Sequence, residues 1–327
     1  MRVLRLLGLV LAVLGVPAAI FAQNVVSARA GLVHHADGRV LLDEKPIVHK
    51  VTQFVEVKEN SELRTERGRA EVLLTPGVFL RMGEDSRIVM ASNQLTDVRV
   101  RLAAGSAVIE ADELDKAVSI TVLAGDQSVR IDRMGLYRFD SYSDEAPRLR
   151  VFAGEAQVGT KRIRTHKEVR LDGDLSVRKF DPEDTDPLDR WSRRRAHHVA
   201  MASVSASRLA YGKETTFTRS SWVWNPYYGM YTFLPFRGVI YSPYGFGFYS
   251  PRAVYALYNP PVYTRPSMDG GGGPRYNANY GYNTVNQTSG GTSGVVASSP
   301  SAGAGGGGGG ATVSRGGDTG DSGGARR

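Results

Sequence analysis

Two adjacent histidine pairs, His34-His35 and His197-His198, stand in a chain of 327 residues with six histidines and no cysteine. Imidazole pairs invite a metal. Sequence neighbours, however, point to opposite faces of a strand and stand about 100° apart on a helix, so neither pair chelates by itself. Both are expected to be solvated polar residues, with no metal or other cofactor. Asp181, Glu183, Asp184 and Asp186 form the densest carboxylate group. Acid–base catalysis needs two carboxylates in a concavity with separated pKa values. This group instead lies in a proline-punctuated linker ahead of a helix, where compensation of the helix dipole accounts for it. A calcium loop would lack its glycine and terminal glutamate. No HExxH or GxxxxGK[ST] occurs, and the lack of cysteine removes thiol nucleophiles, disulfides and cysteine metal sites. The expectation is a protein that is not an enzyme.

Binding chemistry has better material. Arg99 and Arg101, Arg148 and Arg150, and Arg162 and Arg164 sit at alternate positions, so each pair leaves its strand on one side. If those strands are neighbours, a basic stripe crosses the solvent face and suits an anionic polysaccharide or lipid phosphate. The plainer reading is a solvated face balanced by Glu110, Asp112 and Asp132. Arg193 to Arg195 pose the same choice. Residues 220–263 alternate aromatics with breakers, and Asn225-Pro226-Tyr227-Tyr228-Gly229 is echoed by Ser242-Pro243-Tyr244-Gly245-Phe246. Trp222, Trp224, Tyr227, Tyr228 and Tyr244 are costly to leave in water, so they either pack on the domain or meet a partner such as a sugar ring or a membrane interface.

The elements that carry these residues are mostly strands. Val98, Val100 and Leu102 alternate with Arg99 and Arg101; the same period recurs at Val118–Val122, Val129–Ile131 and Leu149–Val151. Glycines 105, 125, 135 and 154 end these runs, and Ala36-Asp37-Gly38 and Pro76-Gly77 mark earlier reversals. The pattern predicts an all-β antiparallel meander forming a sandwich or rolled sheet. Asp186-Pro187 then starts one C-terminal helix, with Trp191 as its anchor against the sheet. Proline and glycine density forbids a long helix or central strand in the aromatic segment. The expected divisions are 1–22, 23–178 (β domain), 179–210 (linker and helix), 211–268 (aromatic segment) and 269–327, a disordered Gly/Ser-rich tail.

Arg2 and Arg5, an apolar Leu6–Val16 and small residues up to Ala22 read as a secretory signal cleaved before Gln23. Eleven apolar residues fall short of the roughly 20 that span a bilayer, and no cysteine follows for lipidation. Export predicts a periplasmic or secreted protein of the cell envelope. The formal charge of +8 falls to about +6 without that segment and favours anionic partners. In the envelope these are glycans and lipids, and no nucleic-acid partner is expected.

The β region resembles the FecR domain, the periplasmic all-β module of bacterial iron-uptake signalling proteins. The resemblance is carried by Leu63-Arg64-Thr65 with Arg69–Leu74, Leu80 through Ser86-Arg87-Ile88, Val100-Arg101-Leu102 before Gly105-Ser106-Ala107, Gly135–Phe139 and Val151–Val158. It covers about residues 50–178. Asn60 replaces a usual glycine, which is mild because Asn tolerates positive φ, and Leu136 replaces a threonine. Signalling members of the family place a cytoplasmic sigma-factor-binding arm and a membrane helix before this domain. Here a secretory signal precedes it, so no direct sigma-factor binding is expected. The resemblance implies a non-catalytic protein-interaction or signalling-associated module, with an envelope protein as partner. A glycan-binding or structural envelope protein is the alternative.

Overall fold

The structure is a computed structural model that describes residues 30–48, 54–211 and 218–259; the expected secretory signal and Gly/Ser tail lie outside these residues. The strands, in order, are β1 (Leu32–Leu42), β2 (Lys45–Pro46), β3 (Val55–Glu56), β4 (Glu62–Leu73), β5 (Val78–Met82), β6 (Arg87–Gln94), β7 (Asp97–Ala111) and β8 (Ser119–Ala124). There follow β9 (Gln127–Ile131), β10 (Gly135–Ser141), β11 (Arg148–Ala153), β12 (Glu155–Val158), β13 (Lys161–Arg164), β14 (Lys167–Arg170) and β15 (Val177–Lys179). Helix α1 (Pro187–Ala210) comes next. The aromatic segment then forms hairpins β16 (Ser221–Asn225) with β17 (Met230–Leu234) and β18 (Val239–Tyr241) with β19 (Gly247–Tyr249), and ends in α2 (Pro251–Tyr258).

The β domain is all-β, as its alternation requires, and its two layers share three strands. The first half of β7 pairs with β6 and β8, and its second half with β5 and β10. Likewise β4 pairs with β6 through residues 62–64 and with β5 through residues 70–73. β1 follows β4 through both layers, with register shifts beside His34 and Arg39. One layer therefore reads β2-β1-β4-β6-β7-β8-β9-β12-β13 and the other β3-β1-β4-β5-β7-β10-β11-β14-β15. Inward-facing residues of both, Val98, Val100, Ile120 and Val129 from one and Val72, Leu80, Ile109, Phe139 and Val151 from the other, form a single core.

The corner of β7 is Gly105, whose φ of +81° needs a residue without Cβ; a Cβ there would lie 2.3 Å from Ser86 Oγ. The bend is a geometric necessity. A straight strand of 15 residues holds its ends about 48 Å apart, beyond the roughly 28 Å that the link from Ala111 to Ser119 can reach. Ser119 nonetheless pairs with Asp97, because the fold-back returns Ala111 to the end of the sandwich where β7 began. The same return makes β7 and β8 parallel, so a simple antiparallel meander is broken at that step. Alternation in sequence gives the faces of a strand and not its direction relative to a neighbour.

The outer face of the second layer is covered by α1 and the aromatic hairpins, which is why every residue of β5 is buried. Asp186 caps α1 in a reciprocal capping box with Asp189, and Pro187 stands in its first turn. Beyond Val199 the buried face of the helix is small: Ala200, Ala202, Ser203, Ala206 and Ser207. Backbone approaches closely there, with Ser203 Oγ donating to the Phe233 carbonyl at 2.7 Å and Thr232 Oγ1 to that of Val199 at 2.8 Å. Asn225 Nδ2 donates to the Ala202 carbonyl at 2.8 Å, and Ser207 Oγ donates to that of Tyr249. A second helix, α2, adds to the one expected; at eight residues, capped by Ser250 and opened by Pro251, it is short enough to sit among the breakers.

Candidate interaction surfaces

Charged side chains that face outward from the second layer are enclosed by α1. Arg81 on β5, fully buried, donates from Nε to Glu71 of β4 at 2.7 Å and from Nη1 to Glu110 of β7. Arg195 of α1 reaches down to the same Glu71, with Nη2 at 2.7 Å. His34 Nδ1 lies 2.7 Å from Glu71 Oε1. Burial alone would raise the Glu71 pKa, but Arg195, Arg81 and His34 outweigh it and hold the carboxyl well below the usual range. Asp112 goes the other way: burial and the neighbouring Glu110 charge push it well above the carboxylate range.

The second clamp holds the start of the helix. Arg138 of β10 donates to Asp140 at 2.9 Å, to Asp186 at 2.5 Å and to Asp189 at 2.8 Å. Asp186 is lowered because the Arg138 and Asp189 interactions exceed the cost of its burial. Between the clamps Leu188 and Trp191 pack on Val108 and Leu136. One member of the densest carboxylate group, Asp186, thus serves both as helix cap and as a ligand of the arginine clamp.

The histidines depart from expectation at one point. The register shift between Val33 and His35 places both residues of the first pair on the helix side: His34 on Glu71, and His35 stacked 6.3 Å from Trp191. His197 lies against Phe246 and His198 against Tyr228. Among the described residues no group of three or more His, Asp or Glu is placed to hold a metal ion.

The arginine pairs fall on different layers. Arg99, Arg101, Arg162 and Arg164 lie on the open face of the first layer, and Arg148 and Arg150 on the second. Across the first layer the register sets Arg162, Gln157, Arg130, Thr121 and Arg99 in one row. Carboxylates two residues along the same strand neutralise part of it: Arg99 pairs with Asp97 at 2.6 Å and Arg130 with Asp132 at 2.7 Å. Arg162 and Arg164 share Glu155 across the hairpin. Arg148 pairs with Glu145 and Glu168, and Arg150 with Asp140. Glu110 and Asp112 do not balance the open face, because they are buried. Arg138, Arg148, Arg150, Asp140, Glu145 and Asp186 line a cavity of about 200 Å³, in which Arg138 and Arg150 pair with Asp140 and Arg148 pairs with Glu145.

The aromatics divide. Trp222 is buried against Phe79 and Phe233, and Trp224 packs with Phe54 and Tyr231. Tyr244 packs beside Leu188 and Trp191, and burial raises its pKa. Tyr228 is half-buried, whereas Tyr227 is 77 % exposed. The sequence reading missed Glu71, Arg81 and Arg138. The signal was present at Arg81: a charge inside Val78-Phe79-Leu80-Arg81-Met82, where apolar residues occupy both faces and any charge has to be paired.

No family model and no curated protein matches the chain. Two crystal structures from Parabacteroides distasonis, described provisionally as of an anti-sigma factor, align with part of the chain. One is 15 % identical, with a TM-score of 0.34, over 40 % of this chain and 64 % of its own length. The other is 14 % identical, with a TM-score of 0.33, over 47 % and 75 %. The chain therefore spans less than two thirds of the first. Likeness at this level carries no argument about activity, which rests on the geometry above. That geometry is an all-β sandwich with a helix and aromatic hairpins clamped to one face. Among the described residues no helix is long and apolar enough to cross a membrane.

Proposed function

We propose that the chain is an exported, non-catalytic, FecR-like interaction module of the cell envelope, working in signalling or assembly through contact with another protein. One observation supports this above others: the buried ion pairs centred on Glu71 and Arg138 fasten α1 to the sheet, while the cap turns tyrosine and arginine outward. Glu71, Arg81 and Arg138 thereby have a structural task, and the exposed residues are of the types that dominate protein contacts. The N-terminal sequence supports export, and mass spectrometry of the protein recovered from the envelope should give a chain beginning at Gln23.

The test is crosslinking in intact cells from a photoreactive residue at position 227. Capture of one identified envelope protein supports the reading. Capture of glycan or lipid alone, or of the chain itself alone, overturns it in favour of a structural envelope protein. Turnover of any substrate abolished by one substitution would also overturn it.

A further inference from the structure

From Arg190 to Tyr258 the sequence holds eight arginines and one lysine but a single carboxylate, Glu214, which lies outside the described residues. The rest of the protein is unlike this. Several arginines of the sandwich, Arg99, Arg130 and Arg164 among them, have carboxylates beside them, whereas Arg193 and Arg194 on the exposed face of α1 have no ion pair among the described residues. The one carboxylate within α1, Asp189, is turned under the helix onto Arg138.

Two turns beyond Arg194, the same exposed face gains apolar residues. Met201, Val204 and Leu209, with Arg208, form one wall of a groove of about 510 Å³; Tyr227 and Tyr228 at the β16–β17 turn form the other. Beyond it, Tyr211 stacks on Tyr255 with ring centroids 4.1 Å apart, and Arg208 covers the Tyr258 ring at 4.7 Å. Met201, Tyr211, Tyr227, Tyr255, Leu257 and Tyr258 are all among the exposed large apolar side chains. Basic and apolar halves therefore lie end to end on one helix face.

We infer that this groove binds an acidic, apolar peptide segment of a partner protein, with aliphatic or aromatic side chains seated between Met201 and Tyr227 and carboxylates on Arg193 and Arg194. This inference rests on the interaction-module reading and gives its partner a chemistry. Charge complementarity sets the sign, because the one described carboxylate of the cap, Asp189, is neutralised by Arg138 under the helix and does not face an incoming anion. A glycan would find hydrogen bonds at Ser205, Arg208 and the tyrosine hydroxyls but brings no apolar side chain to Met201, Val204 and Leu209, as a peptide does. A bilayer needs apolar groups that protrude, and these line a recess.

The experiment pans a displayed library of random 12-residue peptides on the full-length chain and measures the affinity of enriched peptides for it and for two variants, Arg193→Glu/Arg194→Glu and Tyr227→Ser. All three sites are exposed, and an unchanged circular dichroism spectrum verifies the fold. Expected are peptides rich in Asp, Glu, Leu and Tyr that lose at least tenfold in affinity for each variant. Enrichment of neutral or basic peptides, or binding indifferent to both variants, overturns the inference. So does charge-dependent sedimentation with phosphatidylglycerol vesicles, or self-association, in the absence of acidic peptide enrichment. If the 227 crosslink captures a protein equally well from the arginine variant, this groove chemistry fails while the interaction-module reading stands.

Discussion

Arg138 holds three carboxylates at 2 % side-chain exposure, joining the sheet to the first turn of α1. Replacing it with methionine keeps much of the bulk but leaves the buried Asp189 without its cation, Asp140 keeping Arg150, and Arg138→Met should lower stability by about 3–5 kcal/mol. Arg99→Met, on the open face, should leave the urea midpoint where it is. Equal midpoints for the two variants would show that the clamp does not fasten the helix. Asp112 makes a different prediction. Its folded pKa lies above the ordinary value, so between the two the folded state binds more protons, and stability falls as pH rises through that window. Glu71, lowered in the fold, acts oppositely, and its contribution is lost as pH falls below the ordinary carboxylate range. Asp112→Asn should therefore gain on the wild type as pH rises from acid to neutral, in paired urea titrations; a constant difference would contradict the assignment. These residues were hard to see in sequence because alternation marks Glu110 and Asp112 only as outward, and outward meant solvent until α1 was placed over them.

At the scale of elements, strands were legible wherever one face met water. β7 shows it: Arg99 and Arg101 mark its open half, while Ser106 to Ala111, buried throughout, has no alternation to reveal its second layer. The helix was legible at its start, where Asp186-Pro187 and Trp191 carry the pattern. It faded towards Ala206 because the buried face there is made of alanine and serine. Those small residues are what let the aromatic hairpins dock, which makes them sensitive to volume. Ser203 is fully buried and bonded to the Phe233 carbonyl. Ser203→Val would lose that bond and overfill the contact, at a cost of about 1–3 kcal/mol. In hydrogen exchange the β16–β17 amides should lose protection while those of β9 and β10 keep theirs. Uniform loss across the protein would show that cap and sandwich open together. The exposed tyrosine and arginine of the cap could have been found from the carboxylate gap after Arg190, a charge pattern visible in sequence but hidden in a net charge of +8.

At the scale of the molecule, two layers threaded by the same three strands cannot unfold one after the other. Tryptophan-independent probes of each layer, such as exchange at β8 and at β11, should report one urea midpoint for the sandwich; two midpoints would refute the shared-strand account. The pairing order also fixes where each layer stops. The first ends in β2 and β13 and the second in β3 and β15, strands of two, four, two and three residues. Lys45-Pro46, Lys161-Arg162 and Arg178-Lys179 occupy three of these borders. Borders so short and so basic give an incoming strand few backbone groups and a ring of like charge, which discourages end-to-end stacking into fibrils. At those ends a second copy of the chain meets charge before it meets backbone, which leaves the capped face as the broader contact surface.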